Sequence, residues 1–567
     1  MLGWIGKLGL WRSAGTTSPV APPNAAAESY PHRPANRDGF GYRGYDAGRI
    51  DRRDADFNPP MMGPNLDAEQ TLALAVNRHR HLCDNHPLIS GARRKLVNNV
   101  VGAGITLEAD TGFEDLDAQL DERWEVLAAA VDAGRELSLG EQQREFMCEV
   151  FAGGDALVRD VMAPAWRDHA AGPVIELIER ERVDAGTLTT TMARPGENTI
   201  RQGVEVDSLG RRVAYYVLPN HPADGVFSGV LRGVRVSAMD ASLAMLRTRR
   251  GQLRGLPMAL SVVALTRFAQ KYGDAALSQA LAAACLGVYL KGVTAPGLRA
   301  KGNKAPTQDT FTDVDGEPIE ELEPGLVGFL PSGADLVSVV PNAPGPQFVD
   351  VHTMLERQEA AGIGMGFAEY TGDWGRMTFS SSRSEALDTR RFYRPLQVMV
   401  VAQHSARLWR AAVRHWVAQG LVKLTAEQAR VFAEFPTRLY RIKATPPGWE
   451  WVDPEKEVNA ALKEIGGVLN SPQNVCANRG QDFYKIAEQV CDAEKFWNDL
   501  RVKKGLEPLP LLAAIRQLSG PGGGGAPPNP NDPNSDEPPA APAPKRKALE
   551  VGGGGRMAHL NGVNGHA

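Results

Sequence analysis

Three groups of residues have the types and spacing that could do chemistry. Gly362, Gly364 and Gly366 (Gly-Ile-Gly-Met-Gly) would let a phosphate approach the backbone. A phosphate loop also needs a preceding strand and a lysine, and a dinucleotide loop needs a different glycine spacing; this segment has neither. Ser380, Ser381 and Ser382 offer hydroxyl nucleophiles. No Gly-x-Ser-x-Gly turn surrounds them and no general base is identifiable, so a serine at this loop–helix boundary is expected to cap the helix. His79, His81 and His86 lie close in sequence. A spacing of two puts His79 and His81 on different helix faces, and other ligand types are missing nearby, so solvated histidines are expected.

Charged clusters read the same way. Arg247, Arg249, Arg250 and Arg254 run around Gly251 and Gly255. They suit phosphates, a solvated surface or a carboxylate on another subunit. Asp110, Glu114, Asp115, Asp117 and Asp121 are expected to form a solvated acidic face, and Asp155, after two glycines, to serve a turn. No catalytic constellation emerges, so no enzyme, cofactor or metal is expected.

Composition sets the frame for these residues. The chain has 567 residues, 43% hydrophobic and 23% charged, with a formal net charge of -4. Such a length supports about three or four domains around real cores. Near-neutral charge argues against a protein that grips nucleic acid tightly by its phosphates, though not against one that surrounds DNA and lets it slide. Five cysteines, none in a CxxC pair, fit a reducing compartment. The glycine-broken segment from Met1 to Trp11 lacks the apolar core of a signal peptide. The best membrane-span candidate, Ala275 to Leu290, would be roughly 24 Å long as a helix, too short for a bilayer core.

The elements that must position these residues follow from periodicity and punctuation. Residues 1–64 read as an extended or disordered arm. Helices are expected from Asn65 or Asp67 to Cys83 and, beyond the His86-Pro87 break, from Leu88 to Val100. A strand at Ile105 to Glu108 precedes helices at Leu116 to Ala129 and Leu139 to Ala152. Strands follow at Ala156 to Asp160, Val174 to Ile178 and Val213 to Leu218, with turns at Arg194-Pro195-Gly196 and Ser208-Leu209-Gly210. A long helix from Pro257 to Leu286, Ala-rich in its second half, is followed by an irregular or β module and a helix from Phe348 to Ala361. Residues 362–380 read as one Gly-rich loop bearing Trp374, Arg376 and Met377. A long helix from Ser381 to Trp416 should kink at Pro395, which lacks a donor and clashes with the preceding turn. Two or three shorter helices fill 453–500. The Gly/Pro-rich tail beyond about Gly520, with Lys545-Arg546-Lys547, cannot bury a core.

An ordered series of blocks over about residues 65–500 resembles the lambda-type family of phage portal proteins. The series begins with Arg93-Arg94-Lys95-Leu96-Val97-Asn98-Asn99-Val100-Val101-Gly102-Ala103-Gly104-Ile105, a helical Trp124 and Gly154-Asp155-Ala156-Leu157-Val158, where Asp replaces the usual Glu. It continues through Ile175 to Glu179, Gln202-Gly203-Val204-Glu205-Val206-Asp207 and Gly210-Arg211-Arg212-Val213-Ala214-Tyr215-Tyr216. Arg250 to Pro257, Glu323-Pro324-Gly325 and Leu330-Pro331-Ser332-Gly333 come next. Tyr370-Thr371-Gly372-Asp373, Ser380 to Arg383 and Trp451 to Pro454 with Lys456-Glu457 complete it.

The resemblance implies an α+β portal fold assembled in a ring, typically of twelve subunits. It implies an α/β wing (65–256), a two-helix stem (257–290 and 347–363) and a small β-containing clip (291–346). A channel loop (364–380), a long kinked helix (381–418) and a helical wing and crown region (419–519) follow, with the tail at 520–567. It also implies a virion component at one capsid vertex, made in the bacterial cytoplasm, with no membrane partner. Its expected partners are further copies of itself, the terminase large subunit, major capsid and scaffold proteins, head–tail connector proteins and double-stranded DNA. Trp374, Arg376 and Met377 are the residues expected to reach the duplex. The alternatives are a hydrolase using Ser380 to Ser382, or a head structural protein without a DNA channel.

Overall fold

A computed structural model describes residues 59–183, 197–224, 233–284, 288–291, 327–330, 347–375, 377–449 and 454–511. The chain divides into two units, Met1–Gly63 and Pro64–Ala567. Of the first only 59–63 are described, without helix or strand; most of the expected arm and the whole expected tail lie outside the described residues.

In the second unit, Pro64–Asn85 (α1) and Pro87–Val100 (α2) are separated at His86. Pro87 sits in the first turn, where its missing N–H is harmless. His86 accepts a bond from the Ile89 N–H at 3.4 Å and so caps α2. Next come Thr106–Ala109 (β1), Glu114–Ala128 (α3) and Leu139–Gly153 (α4). Ser138 and Glu141 form a reciprocal cap at the start of α4, and Gly154, at φ +89°, ends it.

Seven strands follow: Asp155–Ala163 (β2), Gly172–Ile178 (β3), Thr199–Arg201 (β4), Val204–Val206 (β5), Arg212–Val217 (β6), Val234–Ser237 (β7) and Ala241–Met245 (β8). They make two antiparallel sheets, ordered β3-β2-β8 and β4-β5-β6-β7. The turn at Ser208 to Gly210 is present, with Gly210 at φ +76°; that at Arg194 to Gly196 lies outside the described residues.

The expected helix from Pro257 starts later. Leu260–Val262 is a 3-10 turn and Val263–Ala284 (α5) the helix proper. The cause is local: the Met258 N–H donates to the Phe151 carbonyl at 3.2 Å, which holds this segment against the end of α4. Of the β module, Val288–Lys291 (β9) and Val327–Leu330 (β10) are described, paired in parallel. Phe348–Ile363 (α6) and Phe367–Thr371 (α7) lead to Phe379–Val400 (α8).

Pro395 lies inside α8. The helical repeat changes six residues later, at a π turn over Val401–Ser405, before Ala406–Ala418 (α9). Ala426–Glu434 (α10) and Ile442–Thr445 (β11) follow, and β11 pairs antiparallel with β1. Pro454–Gly466 (α11), Pro472–Asn478 (α12) and Phe483–Lys503 (α13) complete the described chain, and none of these three buries a residue.

The main core lies among α2, α3, α4, α8 and α9. Trp124 meets the fully buried Trp409 edge to face at 5.0 Å between ring centroids, which explains why a tryptophan occupies α3. A smaller core, including Leu157, Ile178, Val204, Tyr215 and Leu243, joins the two sheets. Among the described residues no helix is long and apolar enough to cross a membrane.

Candidate functional site: a helical hairpin and the loop at its root

The hairpin is α5 against α6. Val262 packs at Gly362, where an added Cβ would strike the Val262 side chain, and Ser261 Oγ donates to the Gly362 carbonyl at 3.3 Å. Ten residues along α5, Tyr272 stacks on Phe348 at the opposite end of α6, with centroids 5.3 Å apart. The two helices are therefore antiparallel, and Ala284, the last described residue of α5, lies at the end away from Val262. Val262, in the turn before α5, with Thr266 and Ala269 within it form the buried stripe, and no described side chain beyond Ala269 on this helix is buried. Phe268 and Leu277, nine residues apart, project on opposite sides at 3.6 residues per turn. They are 62% and 61% exposed, with Leu281 near Leu277 at 57%. Both flanks of the hairpin thus present large apolar side chains that stay exposed among the described residues.

A buried charge cluster fixes where this hairpin begins. Asp155, wholly buried at the start of β2, accepts from Arg254 Nε at 2.9 Å, Arg254 Nη2 at 3.0 Å, Arg180 Nη1 at 2.8 Å and the Gly255 N–H at 2.6 Å. Arg254 reaches the Arg180, Val183 and Gln202 carbonyls, and Arg180 those of Gly153 and Gly255. Burial raises the Asp155 carboxyl, but the two guanidiniums and the Gly255 N–H outweigh it and hold it below the usual carboxylate range. Gly154 and Gly255 allow the approach: a Cβ on Gly255 would collide with the Gly154 carbonyl oxygen.

The structure corrects two expectations here. Asp155 is not a turn residue but the centre of an ion cluster. Arg254 is not a surface arginine: it is 2% exposed, while Arg247, Arg249 and Arg250 do face solvent and Arg249 pairs with Asp67 at 3.1 Å. Beside this cluster, Arg80 bridges Glu149 at 2.6 Å and Glu181 at 2.7 Å. Burial pushes the Glu149 carboxyl up to about 7 despite Arg80.

At the other root of the hairpin, the expected Gly-rich loop is largely structured. Gly364, at φ +90°, ends α6, and α7 interrupts the segment before Gly372 at φ +82°. What remains of the loop is residues 372–378. Trp374 is 51% exposed and Met377 is half-buried; Arg376 lies outside the described residues. Inside the loop the bonds are local: the Asp373 N–H donates to Thr371 Oγ1 at 3.1 Å and the Gly375 N–H to Asp373 Oδ1 at 3.1 Å.

The cap of α8 is Thr378, not one of the serines. Thr378 and Ser381 cap each other reciprocally, because the capping pair needs a three-residue spacing and Thr378-x-x-Ser381 supplies it. Ser381 Oγ is committed to Thr378, and Ser384 Oγ donates to the Ser380 carbonyl at 3.1 Å.

Other expectations shift with burial. His79 is not solvated: it is fully buried, with Nδ1 3.0 Å from the Ala152 carbonyl oxygen, and burial lowers its pKa. His86 is nearly buried in its capping role, and His81 bonds Asn85 at the surface. In the acidic segment, Asp117 and Asp121 hold the Thr111 and Ala109 N–H groups at 2.9 and 2.7 Å, so they organise the β1–α3 turn. Glu179, Glu181 and His221 gather closely enough to suit a cation, but Glu181 already takes both Nε and Nη2 of Arg80.

Comparison with known proteins fits this architecture. Residues 50–397, more than half of the chain, match the family described as phage portal protein, lambda family. The match takes in the Asp155 cluster, the hairpin and the loop, and the chain belongs to that family. A probable portal protein of Halomonas phage phiHAP-1 is 26% identical over 349 residues, 60% of this chain and 63% of the relative. The aligned part is thus just under two thirds of that relative's length. Portal protein B of Escherichia phage lambda is 25% identical over 167 residues, 29% of this chain and 30% of the relative. Among solved structures, a chain in the neck of an empty gene transfer agent particle overlaps 72% of this chain and 93% of its own, at 14% identity and a TM-score of 0.38.

Proposed function

We propose that this chain is a portal subunit. Copies close into a ring, typically of twelve, at one capsid vertex; terminase drives double-stranded DNA through the ring, and the tail connector later seats on it. The observation that carries this reading is the family match across 50–397. The hairpin supports it physically. Apolar side chains on opposite flanks of α5 suit head-to-tail contact between unlike surfaces, which closes into rings, rather than a two-fold dimer. The α/β part from Pro64 to about Leu256 would be the wing, α5 and α6 the stem, and the module with β9 and β10 the clip. The crown would lie in α11 to α13. Capsid and scaffold proteins complete the partner set, and the mature product belongs to the virion.

Within this reading the channel loop is 372–378, and Trp374, Arg376 and Met377 make weak, sequence-independent contacts with the duplex. A mixed apolar and basic tip on a short loop suits sliding rather than gripping. Electron microscopy of purified protein tests the assembly: rings with a central hole are expected, and a persistent monomer refutes the reading. Packaging by a Trp374→Ala, Arg376→Ala double variant tests the loop. Reduced packaging or DNA retention is expected with rings intact, and parental packaging removes the loop from the mechanism.

A further inference from the structure

The segment between α6 and α8 is pinned far more tightly than its glycine content suggests. Glu385 Oε1 on α8 accepts from the Ala368 and Glu369 N–H groups at 2.8 and 3.1 Å. The Gly366 N–H donates to Thr389 Oγ1 at 3.3 Å, and a Cβ on Gly366 would collide with the Glu385 carboxylate. Tyr370 OH donates to Glu359 of α6 at 2.8 Å, and Tyr393 OH of α8 to Glu369 at 2.7 Å. From α2, Asn99 Nδ2 donates to Glu369 at 3.1 Å and Lys95 Nζ to the Glu369 and Tyr370 carbonyls. Three of the five residues of α7, Ala368, Glu369 and Tyr370, are therefore tied to three helices.

We propose that Glu385 is a positioning residue that latches α7 and thereby sets the length of the candidate channel loop. Latched, the free segment is residues 372–378. Released, it is residues 364–378, because Gly364 and Gly372 already act as joints in left-handed backbone. At about 3.3–3.6 Å per extended residue, half the contour gives a reach of about 12 Å latched and about 25 Å released. The latch takes both bonds on one carboxylate oxygen, so one side chain holds the first turn of α7 while Glu359, Tyr393, Asn99 and Lys95 hold the rest. The latch rests on the channel-loop reading for its purpose but not for its existence.

Hydrogen exchange on the assembled protein, without DNA, tests it. In Glu385→Ala the Ala368 and Glu369 amides should exchange about ten- to a hundredfold faster, the range expected for losing a bond to a charged acceptor. Trypsin should also cut faster after Arg376. Glu385→Gln keeps the size and one acceptor oxygen, so it should fold and restore part of the protection. Thr378→Ala, which opens only the α8 cap, should speed exchange at Phe379 to Ser382 and leave α7 protected. Parental protection of Ala368 and Glu369 in both Glu385 variants overturns the latch, as does a loss spread equally over α2 and α8. Because no duplex is present, failure of the DNA-contact reading would leave this result unchanged and would show only in packaging.

Discussion

Replacing Asp155 by Asn should be among the most damaging single changes in the chain. Asp155 is wholly buried and accepts four bonds, three from the guanidiniums of Arg180 and Arg254 and one from Gly255. Asn keeps the shape but supplies one acceptor oxygen and turns an NH2 group toward N–H donors. Two guanidiniums then stay buried without a counter-charge. Breaking a buried ion cluster by removing one partner costs about 3–5 kcal/mol, a large part of a domain stability of about 5–15 kcal/mol. Scanning calorimetry should show the unfolding transition lowered by about 10 °C or more. Asp168→Asn, at the exposed tip between β2 and β3, is the control and should stay within about 0.5 kcal/mol. An apolar triple replacement of Asp155, Arg180 and Arg254 should recover only part of the loss, since both arginines also satisfy backbone carbonyls. The carboxyl is held below its unfolded value, so its contribution is intact above pH ~4 and fades as pH falls through the lowered folded value. An Asp155→Asn protein within about 1 kcal/mol of the parent would refute the reasoning.

Further expected outcomes concern the core and the hairpin. His404 is fully buried in the π turn against Phe146, and burial lowers its pKa to about 3, below the unfolded value of 6.5. Stability should therefore fall as pH drops from 6.5 toward 3, at about 1.4 kcal/mol per unit from this group. His404→Phe should remove about 2 kcal/mol of the difference in unfolding free energy between pH 6.5 and 5, and an unchanged slope would count against a neutral buried imidazole. Phe268→Glu and Leu281→Glu place charges on the two exposed flanks of α5. Mass photometry should show subunits in place of rings, with circular dichroism at the parental level; intact rings would move the interface elsewhere.

Elements with strong local punctuation were legible in the sequence. The helix at Leu139 begins at its Ser138–Glu141 cap, and Pro454 to Lys503 resolves into three helices. What failed depended on partners distant in sequence. Nothing near Asp155 announces that Arg254 will lie against it, because the burial of a charge is decided by the packing of remote strands. His79 had a readable signal: Leu72, Val76, His79 and Cys83 recur at helical spacing, and all four are buried. The loop differs from the sequence expectation because Gly364 and Gly372 each end a helix in left-handed backbone and bracket a short one, and glycine content alone does not separate such a cap from flexible chain. Ser380 to Ser382 stand inside α8, and the cap falls on Thr378, the residue that pairs with Ser381 at capping-box spacing.

Because α5 and α6 run antiparallel, the two roots of the hairpin lie at the same end, and each is anchored. One ends at Gly255, jammed against Gly154 and bolted through Asp155. The other ends at Gly364, ahead of a five-residue helix and a short exposed tip. A displacement along the hairpin axis is therefore resisted at both roots, by the Asp155 ion cluster at one and by the ties of α7 to α2, α6 and α8 at the other.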